Sequence, residues 1–290
     1  MIEKLTSRAS DVTVIVVTYN SEHCVKALAA GLADCAQVVI VDNGSVDRTV
    51  EAVQLTLPHA RVIELGRNYG FGYANNRGMQ AVTTTYACLL NPDCMVSAAH
   101  IEGLQEVAAS DQRIAIVGPQ LMRTASTPEI NYRMALTDWS GRTPAATGLL
   151  CVGFVCGAVM LIRRQWFESV GGFDERFFLY YEDDDLCLRL RQRGGVLMVA
   201  PEIAIEHRSR GSVRTSKLWQ GEYLRGYHHA QSKLTFYQLH RGEAVSLSSQ
   251  RRLFWSTLVI FPIRVLAFSP RLIARMWGRL LGARRWAPLR

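Results

Sequence analysis

Apolar residues in the first 120 positions recur in short runs that alternate with segments of helical length and spacing. The runs predict strands at 12–17, 38–42, 61–65, 86–91 and 113–118. The segments between them predict helices at 21–32, 46–56, 72–82 and 97–109. Strands separated by helices of this size are typical of an α/β fold with a doubly wound, mainly parallel sheet covered on both faces.

The turns after the first four predicted strands are polar. They read Thr18-Tyr19-Asn20, Asp42-Asn43-Gly44-Ser45, Gly66-Arg67-Asn68-Tyr69-Gly70 and Asn91-Pro92-Asp93. Turns favour such residues on their own, so one such turn indicates little. In a sheet of this kind, however, ligands bind at the carboxyl ends of the strands, and four polar turns at that edge predict a binding site. Neither a P-loop nor a dinucleotide-binding glycine motif follows the first strand.

Residues 119–150 are rich in Thr, Pro, Gly and Ala, and the pattern predicts a long excursion outside the core. Segments of this length often form binding lids. Within it, Trp139 has two interpretations, stacking on a sugar ring or ordinary packing. Strand patterns return at 153–164 and 196–200, and a helix is predicted at 217–240.

Four carboxylates, Glu182 to Asp185, directly follow two tyrosines. One interpretation is a helix start, where acids offset the macrodipole and cap free N–H groups. The other is a cluster that faces a cleft and deprotonates a substrate or lies beside a metal. Because neighbouring carboxylates disfavour the ionised form, crowding raises the pKa of a member of the cluster and makes it a better base.

Composition indicates a globular cytoplasmic protein. Of the 290 residues, 49% are hydrophobic and 20% charged, and the seven cysteines include no C-x-x-C pair. This argues against a disulfide framework and a structural zinc site, and for a reducing compartment. The apolar run at 12–17 is too short for the core of a signal peptide and is interpreted as a buried strand.

The net charge of +8 is concentrated at the C-terminus. Nine of the 33 basic residues lie in 251–290, which has no acid, so 24 basic residues face 25 acidic ones in 1–250. Arg271, Arg275 and Arg279 form a stripe opposite apolar side chains, which predicts a basic amphipathic helix in an anionic membrane interface. The alternative is a helix packed on the domain with its arginines in water. The uncharged run at 253–263 is too short to span a bilayer.

Several stretches resemble, in order, family-2 glycosyltransferases of the GT-A fold, most closely a rhamnosyltransferase-like branch. They are VVTYN, VVIVDNGSVDRT, GRNYGFGYANNRG, LLNPD and GAVMLIRRQWFESVGGFDERFFLYYEDDDLCLRLRQRG, followed by His207. The similarity covers roughly 11–215. It implies inverting transfer of a sugar from a nucleotide diphosphate donor to a hydroxyl, usually with a divalent cation such as Mg²⁺ or Mn²⁺.

The resemblance also implies roles for individual residues. Asp183 matches the catalytic base, Asp93 the last residue of the metal-binding D-x-D, and His207 a histidine that ligates the metal in some members. From the residues themselves, and not from the resemblance, Glu182 is expected either to orient Asp183 or to contact the acceptor, and Trp139, if it stacks on a sugar, to contact the acceptor. The donor would be held by Thr18, Tyr19, Asn20, Asp42, Asn43, Ser45, Arg67, Asn68, Asn75, Asn76 and Asn91. Independently of the resemblance, the guanidinium groups of Arg208 and Arg210, next to His207, are expected to reach phosphate oxygens of the donor. Asn91 replaces the first carboxylate of the metal motif, and an amide offers a hard cation only its neutral oxygen.

These observations predict a GT-A domain over 1–215, with a nucleotide-sugar part at 11–118 and an acceptor and catalytic part at 119–215. A helical packing segment at 216–250 and a membrane-associated tail at 251–290 would follow. The predicted activity is transfer of rhamnose from dTDP-rhamnose to a saccharide or polyprenyl-linked saccharide in cell-envelope polysaccharide synthesis. The enzyme would be cytoplasmic and peripheral on the inner face of the membrane.

Two other function classes fit the sequence less well. A nucleotidyltransferase should have a glycine-rich loop with Lys or Arg straight after the first strand, which VTYNSEH lacks. A nucleic-acid-binding protein should carry its positive charge on the body of the domain, whereas here the charge is confined to the tail. No nucleic-acid partner is predicted.

Overall fold

The structure is a computed structural model, which describes residues 11–134, 145–208, 211, 218–266 and 269–289. The described residues form two compact units. The first contains the chain up to Tyr69, Tyr73–Phe173 and Leu186–Arg214, and the second contains Gly70–Gly72, Asp174–Asp185 and Thr215–Arg290. The second unit therefore takes in the acidic segment, which the sequence assigned to the catalytic part of the first domain.

The strands are β1 Val12–Thr18, β2 Gln37–Asp42, β3 Arg61–Glu64, β4 Tyr86–Leu90, β5 Ile114–Thr124, β6 Thr127–Glu129, β7 Tyr132–Arg133, β8 Leu150–Val152, β9 Phe154–Val155, β10 Val159–Arg163 and β11 Val196–Glu206. The helices are α1 Glu22–Leu32, α2 Thr49–Thr56, α3 Phe71–Met79, α4 Ala98–Ala109, α5 Arg164–Ser169, α6 Glu182–Gln192, α7 Leu218–Arg241, α8 Glu243–Leu266 and α9 Pro270–Arg285.

The main sheet of the first unit has the order β3-β2-β1-β4-β10-β5-β11-β8, and β6 pairs with β5. The ladders β3/β2, β2/β1, β1/β4 and β5/β11 are parallel, whereas β10 is antiparallel to β4 and β5. In the centre, Val16 of β1 lies between Ile40 of β2 and Leu90 of β4. The predicted mixed α/β fold with a mainly parallel sheet is confirmed.

Helices cover both faces of this sheet, which explains why its central strands are apolar throughout. Val14 and Val16 point to the face where Leu28 of α1 and Leu104 of α4 complete the core. Ile15 points the other way, since successive side chains of a strand alternate. There it meets Gly78 of α3, where an added Cβ would lie 2.6 Å from its Cγ2. Glycine at this position lets α3 approach the sheet closely.

The prediction that residues 119–150 form a long excursion outside the core is wrong for much of the part that the structure describes. β5 continues through Pro119 to Thr124, β6 turns back antiparallel to it, and β8 pairs with β11 at the sheet edge. A proline normally ends a strand because it lacks an N–H. Here the register of β11 against β5 shifts between Ala200 and Ala204, next to Pro119, and this irregularity accommodates the proline.

The second unit is built mainly from α7, α8 and α9. Backbones of α7 and α9 touch: a Cβ added at Gly226 would lie 2.0 Å from the Arg275 carbonyl oxygen, and one at Gly278 would lie 2.0 Å from that of Tyr223. The glycine side of α9 is therefore its packing face. Helical structure in the C-terminal part is confirmed. No helix among the described residues has the length and apolarity needed to cross a membrane.

The arginine stripe predicted on α9 is not an open face. Arg271 is exposed, but Arg275 and Arg279 are half-buried, and Arg275 forms an ion pair with Glu222 of α7. Leu280, predicted on the apolar side facing a membrane, is buried within the unit. The structure is nearer to the alternative of a packed helix, but that alternative left the arginines in water. Their partial burial was not predicted, because the close approach of α7 depends on glycines at 226 and 278, far apart in the chain.

Candidate active site

The turn after β2 is organised around the buried carboxylate of Asp42. Its Oδ1 accepts hydrogen bonds from the hydroxyls of Thr18, at 3.1 Å, and Ser45. Its Oδ2 accepts from the backbone N–H groups of Gly44, at 3.2 Å, and Ser45, at 2.9 Å. Because a carboxylate has about four acceptor positions, these four hydrogen bonds occupy all of them. A nucleotide would have to replace one of them to contact Asp42 directly.

Asn43 joins this turn to the turn after β3. Its Nδ2 donates to Oδ1 of Asn68 at 3.0 Å, and its Oδ1 accepts from the backbone N–H of Tyr69 at 2.9 Å. Gly44 has φ 82°, and an added Cβ would lie 2.5 Å from Cα of Arg67. The two predicted donor-binding turns are therefore adjacent, and only glycine fits between them.

Two stacked tyrosines at the same edge are flanked by an arginine on each side. The guanidinium of Arg67 lies 4.4 Å from the ring centre of Tyr69, which stacks on Tyr73 at 4.5 Å. Arg77 lies over the other ring at 4.1 Å. These contacts hold Arg67 in place by cation–π attraction. Asn76 has a structural role, since its amide exchanges two hydrogen bonds of 2.9 Å with the backbone of Phe173.

Asp93 and His207 are brought together by pairing between the ends of β4 and β11. Cys94 and His207 form an antiparallel bridge, and the backbone N–H of Arg208 donates to the Asp93 carbonyl at 3.0 Å. Oδ2 of Asp93 accepts from the N–H of Gly211 at 3.0 Å. Its Oδ1 is buried, accepts no hydrogen bond from the described residues, and lies 3.7 Å from Nε2 of His207.

This arrangement fits a divalent cation. Two atoms that ligate one cation at about 2.1 Å lie about 3–4 Å apart, which matches the Asp93–His207 separation. Nδ1 of His207 is 3.0 Å from Oε2 of Glu129 on β6, so that Nε2 is directed towards Asp93. A carboxylate behind a histidine ligand orients the ring and makes it more basic. The Cys94 sulfur belongs to the same cluster, but burial and neighbouring carboxylates raise the pKa of its thiol, which disfavours the thiolate ligand.

The acidic segment of the second unit begins α6. Glu182, Asp184 and Asp185 are buried, and Asp183 is the one of the four that is half-exposed. Tyr180 and Tyr181 precede it with φ 69° each, a conformation that costs on the order of 1–3 kcal/mol for residues other than glycine. Burial, and then the charges of Asp183 and Asp184, raise the pKa of Glu182 well above its ordinary value.

One face of α7 holds this segment. Ser232 donates to the Leu179 carbonyl at 2.9 Å, and Nε2 of His240 lies 2.8 Å from Oδ1 of Asp185. His228 stacks on Phe178 at 4.2 Å, and Phe236 contacts Tyr181 at 5.4 Å. The four α7 residues recur every four positions, which places them on one side of the helix.

Family comparison agrees with this geometry. The model of Glycosyl transferase family 2 matches residues 13–171, more than half of the chain. The chain belongs to glycosyl transferase family 2. It is therefore a sugar transferase, as the ordered motifs predicted. A second model, described as the N-terminal domain of galactosyltransferase, matches residues 153–210, which include the acidic segment and His207.

Three similar proteins are named as sugar transferases. The N-acetylglucosaminyl-diphospho-decaprenol L-rhamnosyltransferase of Mycobacterium tuberculosis is 27% identical over 67% of this chain and 75% of its own. Rhamnosyltransferase WbbL of Escherichia coli is 27% identical over 68% of this chain and 83% of its own. The hexosyltransferase Agl10 of Haloferax volcanii, of low-salt glycan biosynthesis, is 28% identical over 63% of this chain and 62% of its own.

Solved structures confirm the GT-A-type fold. The mannosyltransferase PcManGT of Pyrobaculum calidifontis, in complex with GDP-Man and Mn²⁺, superposes with a TM-score of 0.58 at 16% identity. The match covers 94% of this chain and 86% of that one. GalNAc-T7, solved with UDP, GalNAc and Mn²⁺, gives a TM-score of 0.54 at 15% identity, over 80% of this chain and 51% of that one.

Several site residues of this family-2 enzyme were not foreseen from the sequence. Glu129 and Gly211 are 78 and 118 positions from the residues that they support, and no local pattern marks them. Arg208, predicted to reach phosphate, pairs its guanidinium with Glu206 at the surface. Trp139 and Arg210, predicted to contact acceptor and donor, lie outside the described residues.

Proposed function

We propose that this protein is an inverting glycosyltransferase that moves rhamnose from dTDP-rhamnose to a hydroxyl of a saccharide or lipid-linked saccharide. The process would be cell-envelope polysaccharide synthesis. The observation that supports it most is the buried Oδ1 of Asp93, which lies next to His207 at the carboxyl edge of the sheet and accepts no hydrogen bond within the part of the chain that the structure describes. Sugar and acceptor follow the names of the relatives, of which two are rhamnosyltransferases and one acts on a decaprenol-linked substrate.

Asp93 and His207 would hold the divalent cation, Mg²⁺ or Mn²⁺. When bound, such an ion neutralises the charge that develops on a leaving diphosphate. Asn91, at the start of the same turn, offers a neutral oxygen only, so Asp93 supplies the anionic ligand. Glu129 holds the tautomer of His207 that leaves Nε2 available to the ion.

The donor nucleotide would lie along the turns after β1, β2 and β3. Thr18, Asp42 and Ser45 fix one turn, and Asn43 fixes the next against it through Asn68. Side chains such as Tyr19, Asn20 and Asn75 would complete the pocket for base and ribose. The polar groups of these turns are already hydrogen-bonded to one another, so the chain needs little further ordering when the donor binds.

Asp183 would act as the base. As the acceptor oxygen attacks the anomeric carbon, its proton passes to the Asp183 carboxylate, and the bond from that carbon to the diphosphate oxygen breaks. Attack from the side opposite the leaving group inverts the anomeric centre. Of the four acids at the start of α6, Asp183 is the one that solvent reaches, which favours it over Glu182. Burial and the neighbouring carboxylates raise the pKa of Glu182, and in its protonated form it can donate a hydrogen bond to the acceptor or to Asp183.

A donor screen tests the proposal. Purified full-length protein is incubated with dTDP-rhamnose, UDP-linked sugars and GDP-mannose, with Mn²⁺ or with EDTA. We expect dTDP-rhamnose with Mn²⁺ to raise the melting temperature and to be slowly hydrolysed. Protection by a UDP sugar instead would correct the donor but keep the mechanism. If no nucleotide sugar protects the protein or is consumed, the proposed activity is wrong.

The acceptor would be membrane-borne, and the enzyme would then work peripherally at the cytoplasmic face of the membrane. The basic C-terminal segment, 251–290, supplies the attraction to anionic lipids, on the order of 1 kcal/mol for each arginine near the surface. A variant in which two exposed arginines of this segment, Arg271 and Arg285, are changed to glutamine should bind the membrane fraction less than wild type. Equal partitioning of the two proteins would refute this part of the proposal.

A further inference from the structure

The outer end of α8 exposes large apolar side chains. Ser246, Leu253 and Thr257 are buried within the second unit, but beyond them the helix is apolar and open. The exposed residues are Trp255 61%, Leu258 41%, Val259 70%, Ile260 44%, Ile263 63%, Val265 42% and Leu266 76%. Single exposed apolar residues are common, but a continuous group of this size indicates a surface that binds something.

The group has a defined face. Trp255, Val259 and Ile263 follow one another at intervals of four, and Leu266 lies three turns beyond Trp255, so all four lie on one side of the helix. Arg264 is seven positions after buried Thr257, which places it on the opposite side, and its side chain is exposed. The apolar face therefore carries no charge, although an arginine lies in the same segment.

The face suits a helix that lies in the plane of a membrane interface. Twelve helical residues, 255–266, extend about 18 Å at 1.5 Å per residue, which is too short to cross a hydrocarbon core of about 30 Å. With the helix axis parallel to the membrane, the apolar side faces the acyl chains of one leaflet and Arg264, on the opposite side, stays among the headgroups. Trp255 then lies at the interface, where tryptophan is enriched.

Positive charge lies at the inner end of the same face. Arg251, one turn before Trp255, and Arg284 of α9 line a groove of about 240 Å³, together with Gln250, Phe254, Trp255 and Ala283. None of these six residues is acidic, and the amide of Gln250 is engaged by the carbonyls of Ala283 and Trp286. Guanidinium groups at the base of an apolar face are suited to the phosphate of a lipid headgroup.

We propose that the outer end of α8 is a lipid-docking element for an anionic phospholipid bilayer. The face formed by Trp255, Val259, Ile263 and Leu266 enters one leaflet, and the groove between Arg251 and Arg284 receives a headgroup phosphate. This differs from the arginine stripe that the sequence predicted on α9, since two of those arginines are half-buried against α7. The inference rests on the proposed membrane-borne acceptor for its biological purpose only, because the surface is present whichever sugar is transferred.

Vesicle flotation of the full-length protein tests the proposal. With vesicles of phosphatidylcholine and phosphatidylglycerol at 7:3 (about 0.1 M salt), we expect most of the protein to float. Val259→Asn with Ile263→Asn should reduce the partition coefficient at least about tenfold, because two exposed side chains lose their gain from entering the leaflet. Leu55→Asn, which changes a leucine of α2 that is 73% exposed, is the matched control and should float like wild type.

A second variant separates the two parts of the element. Arg251→Gln with Arg284→Gln should lose the preference for phosphatidylglycerol over pure phosphatidylcholine vesicles while keeping the apolar contribution. Circular dichroism and thermal unfolding should be unchanged in both double variants, since all four side chains lie at the surface or in an open groove. An unfolded variant would be replaced by Val259→Ser with Ile263→Ser, with the same expected loss.

Three outcomes would overturn the proposal. One is flotation of Val259→Asn/Ile263→Asn equal to wild type, and a second is equal binding of wild type to anionic and neutral vesicles. The third is a dimer in light scattering that the apolar variant abolishes while vesicle binding is absent, which would make this face an interface between copies. Failure of the proposed sugar transfer can be distinguished from failure of the lipid-docking proposal, because consumption of nucleotide sugar is measured without vesicles.

Discussion

Asp93 of the first unit and Glu182 of the second each have one buried carboxylate oxygen that accepts no hydrogen bond from the described residues. Their surroundings differ. The open oxygen of Asp93 lies beside His207, and its other oxygen is held by a backbone N–H. Glu182 has two carboxylates as neighbours, which together with burial raise its pKa.

The difference teaches how two similar groups are suited to opposite tasks. A buried anion with a histidine nearby and a fixed second oxygen is a position for a cation. A buried acid among other acids is held protonated instead, because a further negative charge there would be unfavourable. Protonating Glu182 lowers the total negative charge of the cluster around the half-exposed Asp183.

The largest effect is expected at Asp183. Asp183→Asn is nearly isosteric but cannot accept the acceptor's proton, so the transfer rate should fall by about 10²–10⁴-fold. Thermal protection by the donor should stay as in wild type. Glu175→Gln, which changes an exposed acid of the same unit, is the control and should transfer normally. Transfer by Asp183→Asn at near the wild-type rate would remove this residue from the mechanism.

The contrast between Asp93 and Glu182 is tested by replacing each carboxylate with the corresponding amide. Asp93→Asn replaces the anionic ligand with a neutral one, and the dissociation constant for Mn²⁺ should rise by about 10²-fold. Titration followed by electron paramagnetic resonance measures this directly. Glu182→Gln should leave Mn²⁺ affinity unchanged. An equal loss of Mn²⁺ affinity in the two variants would contradict the assignment of the cation to Asp93 and not to Glu182.

A smaller effect on Mn²⁺ affinity is expected from Glu129, whose carboxylate contacts Nδ1 of His207. Glu129→Ala removes the carboxylate that orients His207, and the dissociation constant for Mn²⁺ should rise by about 10–100-fold. The control is Glu206→Ala. It removes an exposed carboxylate at the end of β11, next to His207, that pairs with Arg208. Mn²⁺ affinity that is unaffected by Glu129→Ala would show that His207 needs no orienting partner, or that it does not ligate the ion.

The smallest effect is one of stability against pH. Glu182 holds its proton in the folded protein above pH 4.5, where the unfolded chain has released it, so wild type loses stability as the pH rises from about 4.5 towards the raised pKa. Glutamine has no proton to lose. Glu182→Gln should therefore unfold at a higher urea concentration than wild type at pH 8, with a smaller difference at pH 4. An equal shift at both pH values would contradict a raised pKa at this position.

Much of the first unit could be predicted from local patterns. The apolar runs placed β1 to β4 to within a residue or two, because a strand covered on both faces must be apolar throughout. The polar turns after these strands indicated the site edge, and Asp42, Asn43 and Asn68 do lie together there. β5 was predicted too short, because Pro119 is compatible with a strand only next to the irregularity in β11.

The order of motifs determined by itself that this chain is a family-2 sugar transferase, since each motif is a local stretch whose chemistry can be recognised from its letters. Only the tertiary structure decided which groups support them. Glu129 behind His207, His240 against Asp185 and the open end of α8 each depend on segments that are distant in the chain or on which side of a helix finds a partner. Such choices follow from how whole elements pack, and no periodicity within one element records them.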